Sequence, residues 1–319
     1  MKLIFMGTPD FAVPSLERLL ADGHEVLLAV TQPDKPVGRK QVLTPPPVKV
    51  CAESHGIPVY QPASMKKEET WAYLSGFPAD AMIVVAYGKI LPAAVLHMTP
   101  LGCINVHGSL LPRYRGAAPV QWAILNGDTE TGVTTMQLDE GVDTGDILLM
   151  KRFMLDDRIT GGELFDRLAQ EGAELLSCTL TGLADGTVQP RKQPAEGACY
   201  AGMLSKSMSP LDWSKPARVL HNQVRGMNPW PVASTVYEGK TLKIYGSRVA
   251  ESAAGQPGTV LSLSPLVVAC GEGTALELQE VQYEGARRMA AADFLRGHPL
   301  QVGERLGAQP QAEHGLERG

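Results

Sequence analysis

The sequence lacks most of the features that assign a chain to a class at a glance. No apolar run approaches the roughly 18 residues needed to cross a bilayer. The opening "MKLIFMGTPDF" offers only Leu3 to Met6 before Gly7, too short for the core of a secretion signal. The five cysteines (Cys51, Cys103, Cys178, Cys199 and Cys270) are odd in number and widely spaced, with no CxxC. Reduced thiols in a cytoplasmic protein are expected rather than a disulfide framework. The seven histidines form neither HExxH nor a Cys/His cluster, so no metal site is expected. After the first apolar stretch, "MGTPDF" holds one glycine where a GxGxxG nucleotide loop needs three, and Pro9 lacks the N–H that a phosphate would use. A tight turn into a helix is the better reading.

What is present is the composition of a soluble globular chain, 44% hydrophobic and 20% charged over 319 residues, long enough for one large or two ordinary domains. The net charge of −5 excludes indiscriminate nucleic-acid binding but not a local basic surface. Two such islands exist. Between residues 31 and 50, Lys35, Arg39, Lys40 and Lys49 face only Asp34. Between 201 and 250, Lys206, Lys215, Arg218, Arg225, Lys240, Lys243 and Arg248 oppose only Asp212 and Glu238. Ordinary solvated faces would look the same, but paired islands on an acidic chain point to a localised anionic partner.

The first half alternates short apolar runs ("KLIFMG", "HEVLLAVTQ", "ADAMIVVAYGKI", "GCINVHGSLLP", "TGVTTMQL") with helical patterns, among them one from Pro14 and "PVKVCAESHG", closed by Gly56. This is the signature of an α/β domain with a mostly parallel sheet covered on both faces, whose ligands gather at the carboxyl ends of strands. Residues 160–186 carry a helical period with a glycine stop. The Pro-, Gly- and charge-rich stretch at 190–206 reads as a linker between a domain at 1–189 and one at 207–307. In the second domain short β-type runs separated by glycine turns point to a small β-barrel, of which an OB-like barrel is one form. The polar residues 308–319 are expected to be a disordered tail.

Two constellations stand at strand ends. Asn105 and His107 lie at i and i+2, so on a strand they share one face and can address one ligand atom. Asn offers an amide donor, and His a donor that exchanges a proton near neutral pH, which suits a developing oxyanion. Taken alone, a structural hydrogen-bonded pair fits as well. "LDEGVDTGDILL" crowds Asp139, Asp143 and Asp146 on a glycine-bearing loop, with spacing wrong for a calcium loop. An aspartate that orients an imidazole and favours its charged form is one use; a solvated turn is another.

"INVHGSLLPRYRGAAP" with "DEGVDTGDIL" resembles the folate-dependent formyltransferases. "FMGTPDFAVPSL", "TQPDKPVGRKQVLTPPPVKVCAE" and "VRGMNPWPVA" narrow the resemblance to the branch that formylates methionyl-tRNA, in order from Met1 to about Leu306. The resemblance implies a Rossmann-like first domain and an OB-like second one. It implies 10-formyltetrahydrofolate as co-substrate, with no metal, and the acceptor arm of initiator methionyl-tRNA as partner of a cytoplasmic monomer. Asn105, His107 and Asp143 would be the catalytic set: Asn105 and His107 on the formyl oxyanion, Asp143 orienting His107. Ser109, Leu110, Leu111 and Pro112, with a cis Leu111–Pro112 peptide, would receive the folate together with Val85, Tyr87 and Gly88. Lys35, Arg39 and Lys40 would engage the tRNA end, Arg39 foremost, and Lys206, Arg225 and Lys243 its phosphates. The family often shows paired lysines after the arginine, where this chain has Lys40 alone. Arg113 to Ala118 receive no role.

Two other readings share parts of this pattern. A formyltransferase for a sugar amine or a small ribonucleotide amine would keep the same three residues but need no basic second domain. An RNA-binding OB module fused to an inactive first domain would have no use for the intact Asn–His–Asp set.

Overall fold

The computed structural model describes residues 1–38, 40–251 and 255–307. The chain forms two compact units. The first comprises Met1–Val120, Thr129–Leu155 and Glu163–Gly202; the second takes Gln121–Asp128, Asp156–Gly162 and the chain from Met203 onward.

The strands of the first unit are β1 (Lys2–Gly7), β2 (Glu25–Val30), β3 (Lys35–Val37), β4 (Val42–Thr44), β5 (Val59–Tyr60), β6 (Ala81–Val85), β7 (Cys103–His107), β8 (Arg115–Gly116), β9 (Glu130–Gln137), β10 (Ile147–Met154) and β11 (Tyr200–Ala201). The helices up to that point are α1 (Val13–Ala21), α2 (Pro47–Ser54), α3 (Glu68–Ser75), α4 (Ala93–Leu96), α5 (Pro119–Leu125) and α6 (Gly161–Asp185). β1 and β6 are apolar on both faces, and Leu3 to Met6 and Ala81 to Val85 are all buried, as a sheet covered on two sides requires. α1 starts with Pro14 in its first turn and buries Ser15, Leu16 and Leu19 while exposing Glu17 and Arg18. α2 ends where Gly56 takes a φ of 71°, the left-handed conformation that closes a helix.

The main sheet has the order β10-β9-β7-β6-β1-β2-β5. From β1 the chain first builds outward through β2 and β5, then returns to lay β6 on the other side of β1. This reversal places a switch point between β1 and β6, where the α/β rule puts a ligand crevice. The sheet is parallel except at one side, where β9 runs antiparallel to both β7 and β10. Apart from the main sheet, β3 and β4 pair as a hairpin from Lys35↔Thr44 to Val37↔Val42, with Val37, Val42 and Leu43 exposed.

The second unit contains α7 (Ala217–Gly226), β12 (Ala233–Tyr237), β13 (Lys240–Ala250), β14 (Val260–Leu263), β15 (Leu266–Ala269), β16 (Ala275–Tyr283), β17 (Met289–Ala290) and α8 (Ala291–Gly297). Its antiparallel sheet follows the path β12-β13-β16-β15-β14, with β17 paired to β16. Trp213, Leu220, Ile244, Val268, Leu278 and Phe294 belong to its core. Residues 303–307 bond both edges of this path. Gly303 N–H donates to the Val260 carbonyl on β14, and Gly307 N–H donates to the Val236 carbonyl on β12. The 303–307 segment thus bonds an edge strand at each end of the antiparallel sheet.

Candidate active site

Asn105 and His107 occupy β7, with Val84 of β6 and Met136 of β9 flanking Asn105 and Thr134 of β9 opposite His107. Both side chains are buried, at 8% and 6% exposure. The Asn105 amide makes no hydrogen bond among the described residues, and it is not among their enclosed, unpartnered polar groups, so it is a donor open to a ligand. His107 is held from two directions. Its Nε2 lies 2.9 Å from the Tyr114 carbonyl, which can only accept, so Nε2 carries the hydrogen. Its Nδ1 is 3.8 Å from Asp143 Oδ2, close enough for an ion pair but long for a hydrogen bond.

Asp143 reaches His107 by a route that differs from the strand-end expectation. Because β9 is antiparallel to β7, its last residue Gln137 lies opposite Ile104, while Thr134 lies opposite His107. The carboxyl end of β9 therefore does not share an edge with that of β7. The connection from β9 to β10 turns back instead. It packs so tightly that a Cβ on Gly145 would fall 1.7 Å from the Gln137 carbonyl oxygen. Within this turn Asp143 adopts a φ of 53°, a left-handed conformation rare outside glycine. Its Oδ2 accepts a hydrogen bond from the Gly116 N–H at 2.7 Å.

"SLLP" lies against this set through its backbone. The Ser109 hydroxyl donates to the Arg113 carbonyl at 2.6 Å, and the Ser109 carbonyl accepts from the Thr134 hydroxyl. Leu111 N–H donates to the same Thr134 oxygen. Leu111, Met136 and Ile147 form a small apolar cluster, and the Leu111–Pro112 peptide is cis, as the resemblance implies. Leu110 and Pro112 are half-buried. At the end of β6, Val85 is buried and Gly88 is exposed with a φ of 78°.

Known proteins match the chain over most of its length. A family model for formyl transferases covers residues 1–180, and one for the formyl transferase C-terminal domain covers 203–299. A methionyl-tRNA formyltransferase of Acetivibrio thermocellus is 49% identical over 311 residues, 96% of this chain and 100% of that one. One of Solibacter usitatus is 50% identical over 308 residues, 96% and 99% of the two chains. The chain belongs to the methionyl-tRNA formyltransferase family. The fold extends to more distant proteins: an N-formyltransferase of Helicobacter canadensis, solved with folinic acid and dTDP-3-aminofucose, matches with a TM-score of 0.67 at 20% identity, over 88% of this chain and 99% of that one.

Within this member of the methionyl-tRNA formyltransferase family, several expected residues prove to be placed otherwise. Tyr87 is 1% exposed, its hydroxyl donates to the Met65 sulfur, and burial pushes its pKa up to about 12. Its side chain is therefore part of the sheet's core. Only its backbone carbonyl, which accepts from Thr8 Oγ1 and Gln32 Nε2, remains near the surface groups of that strand end. Arg225 is the second correction. It is 6% exposed, and its guanidinium donates to Asn222 Oδ1 and to the carbonyls of Asp156 and Ile159, so it braces the second unit and presents no cation to a phosphate. Arg218 and Arg248 are likewise paired, with Asp157 and Glu277. Lys206 and Lys243 are exposed, as a phosphate contact requires. In the first island, Lys49 is bound to Asp34, whose carboxyl is held below its usual pKa by hydrogen bonds from Gln61 and then Lys49. Lys35 and Lys40 are exposed, and Arg39 lies outside the described residues. The expected tail at 308–319 also lies outside them.

The structure adds residues that no motif reading singled out: Tyr114, Gly116, Thr134 and Gln193. Nor is 190–206 a free linker. Arg191 pairs with Ile147, Gln193 bonds the Asp143 turn, and β11 pairs with β8, so this segment is built into the first unit as far as Ala201. Among the described residues no helix is long and apolar enough to cross a membrane, and no group of His, Cys, Asp and Glu is arranged to hold a metal.

Proposed function

We propose that the chain transfers the formyl group of 10-formyltetrahydrofolate to the α-amine of methionyl-initiator tRNA, giving N-formylmethionyl-tRNA and tetrahydrofolate, as a cytoplasmic monomer. Family membership supports the reaction class. The observation that carries the reading is the buried, unbonded Asn105 amide beside an imidazole set between a carbonyl and a carboxylate. A peptide-like α-amine has a pKa of about 8, so a neutral nucleophile exists near neutral pH. The folate supplies a formyl carbon attached to N10; a bond forms from the amine nitrogen, the bond to N10 breaks, the amine loses a proton and N10 gains one.

The chain's residues divide this work. Asn105 donates its amide N–H to the formyl oxygen as charge develops there. His107 acts as the imidazolium: its Nε2–H stays on the Tyr114 carbonyl, and its Nδ1–H, with a looser 3.8 Å approach to Asp143, donates to the oxyanion. Asp143 keeps Oδ2 on Gly116 N–H, and its Oδ1, without a hydrogen bond among the described residues, accepts the amine's proton. Ser109 to Pro112, with the strand end at Val85 to Gly88, holds the folate. The hairpin bearing Lys35 and Lys40 meets the tRNA acceptor end, and Lys206 and Lys243 meet phosphates, giving affinity that falls with salt.

The deciding assay measures formyl transfer from 10-formyltetrahydrofolate to initiator methionyl-tRNA, elongator methionyl-tRNA and a nucleotide-linked amino sugar. Transfer to the initiator tRNA far above the other two is expected. Transfer only to the amino sugar, or to none of the three, overturns the reading.

A further inference from the structure

The run "RYRGAA" at 113–118 has no role in the motif reading, and the 190–206 segment reads there as a plain linker. In the fold they meet. Gln193 donates its Nε2 hydrogens to the carbonyls of Asp143 and Gly145, each at 2.8 Å. Its Oε1 accepts from Arg115 Nε at 3.1 Å and Nη2 at 2.8 Å. An arginine has only donors, so this fork fixes which way the Gln193 amide faces, and every hydrogen-bonding site of that amide is used. The fork is anchored in turn. Arg115 N–H donates to the Cys199 carbonyl, Tyr114 N–H donates to the Cys199 sulfur, and Gly116 pairs with Ala201.

Both catalytic contacts described above hang from this lattice. Tyr114, which supplies the carbonyl on His107 Nε2, has a φ of 58°, and Asp143 has a φ of 53°. A non-glycine residue held in such a conformation is strained, Tyr114 more than Asp143, and it persists where neighbours hold it. At Asp143 the neighbours doing so are Gln193, on its backbone, and Gly116, on its carboxylate. We infer that Arg115 and Gln193 are positioning residues for the formyl-transfer reaction: the Arg115–Gln193 fork holds the strained Asp143 turn so that its carboxylate faces His107.

The inference rests on the formyl-transfer reading, so its test has one arm that does not depend on turnover. Gln193→Leu removes both donors to the turn. In the full-length protein, amide hydrogen exchange at Gly116, whose N–H reports the Asp143 carboxylate, should accelerate at least tenfold. Exchange at Ala117, bonded to the Ala201 carbonyl, should stay within threefold. Unchanged Gly116 exchange overturns the inference whatever the reaction. In the kinetic arm, Gln193→Leu should lower kcat at least tenfold with KM for both substrates within threefold, since a displacement of about 1 Å can cost up to a hundredfold. In an Asp143→Asn background the same substitution should change kcat less than twofold, because it acts through that carboxylate. A tenfold loss that persists there marks a general structural effect and overturns the inference. Arg115→Lys, which keeps the charge but not the fork, must reproduce the coupling and serves if Gln193→Leu does not fold. A wild-type chain that fails to formylate any acceptor refutes the functional reading alone, leaving the exchange arm to decide this one.

Discussion

Asn105→Ala separates catalysis from folding more cleanly than any other single change in this site. Asn105 is 8% exposed in the middle of the main sheet, between Val84 and Met136, where truncation of a partnered amide would strand its partner. A stranded partner costs about 1–3 kcal/mol. Here the amide has no partner among the described residues, so no such penalty arises. What the substitution removes is the packing of a short side chain on β7. The small cavity left by the amide is the main cost, and the loss in unfolding free energy should stay within about 1–2 kcal/mol. The reaction loses more. Losing one oxyanion donor costs about 2.7–4 kcal/mol, or about a hundredfold to a thousandfold in kcat. Steady-state formylation of initiator methionyl-tRNA gives kcat, and urea unfolding followed by tryptophan fluorescence gives stability. A kcat within tenfold of wild type would refute the assignment. A loss of more than about 2 kcal/mol in stability would show that Asn105 has a structural partner after all.

Four further outcomes are expected. Gly145→Ala drives a Cβ to 1.7 Å from the Gln137 carbonyl oxygen, so the Asp143 turn must open; kcat should fall at least tenfold, with a stability loss of about 1–3 kcal/mol in the urea midpoint. Arg225→Ala strands Asn222 and the carbonyls of Asp156 and Ile159 and should cost about 3 kcal/mol of stability, whereas Lys243→Ala should leave stability unchanged and reduce the salt dependence of tRNA binding. Cys103, buried and with its thiol pushed up to about 12, should resist iodoacetamide at pH 8 in the native protein, while exposed Cys178 reacts; mass spectrometry of the peptides reads both. His221 has its pKa lowered from 6.5, chiefly by burial, with its ring between Ser247 and the Asp157 carbonyl. The unfolded chain therefore binds the proton first, so stability is full above about pH 6.5 and declines as pH falls through that value. His221→Gln should flatten this decline in urea melts taken between pH 7.5 and pH 5.

Much of the fold is legible because its causes are local. The apolar runs at Leu3 to Met6 and Ala81 to Val85 leave no polar face to expose, so they form strands covered on both sides. The glycines at 56 and 186 end their helices where the period stops, each with a positive φ. The direction of β9 was not legible. Its residues are apolar and threonine-rich, and such a strand satisfies either direction; neighbouring strands choose. That choice sends the carboxyl end of β9 away from the edge where Asp143 was expected, and the turn back to His107 is a tertiary fact. The α3 and α4 helices and the β3–β4 hairpin are not legible in the sequence for a related reason: each is short, and two of the three hairpin pairs contain an exposed apolar residue that fits no amphipathic pattern.

The sequence by itself determined the residue types of the site and their local spacing. Asn105 and His107 share a strand face because the side-chain period of a strand is two, and the resemblance joined Asp143 to them. Only the tertiary structure decided which atoms do what. A histidine's proton is assigned by what its nitrogens meet, here the Tyr114 carbonyl and the Asp143 carboxylate, brought from 7 and about 36 residues away. A basic residue's role depends on whether its charge reaches solvent, which separates buried Arg225 from exposed Lys243 although both belong to one charge island. A polar segment such as 190–206 looks like a linker until its partners are known, because hydrogen bonds to backbone carbonyls leave no trace in composition or period. That is why Gln193 and Arg115, with the catalytic turn suspended from them, became visible only in the folded chain.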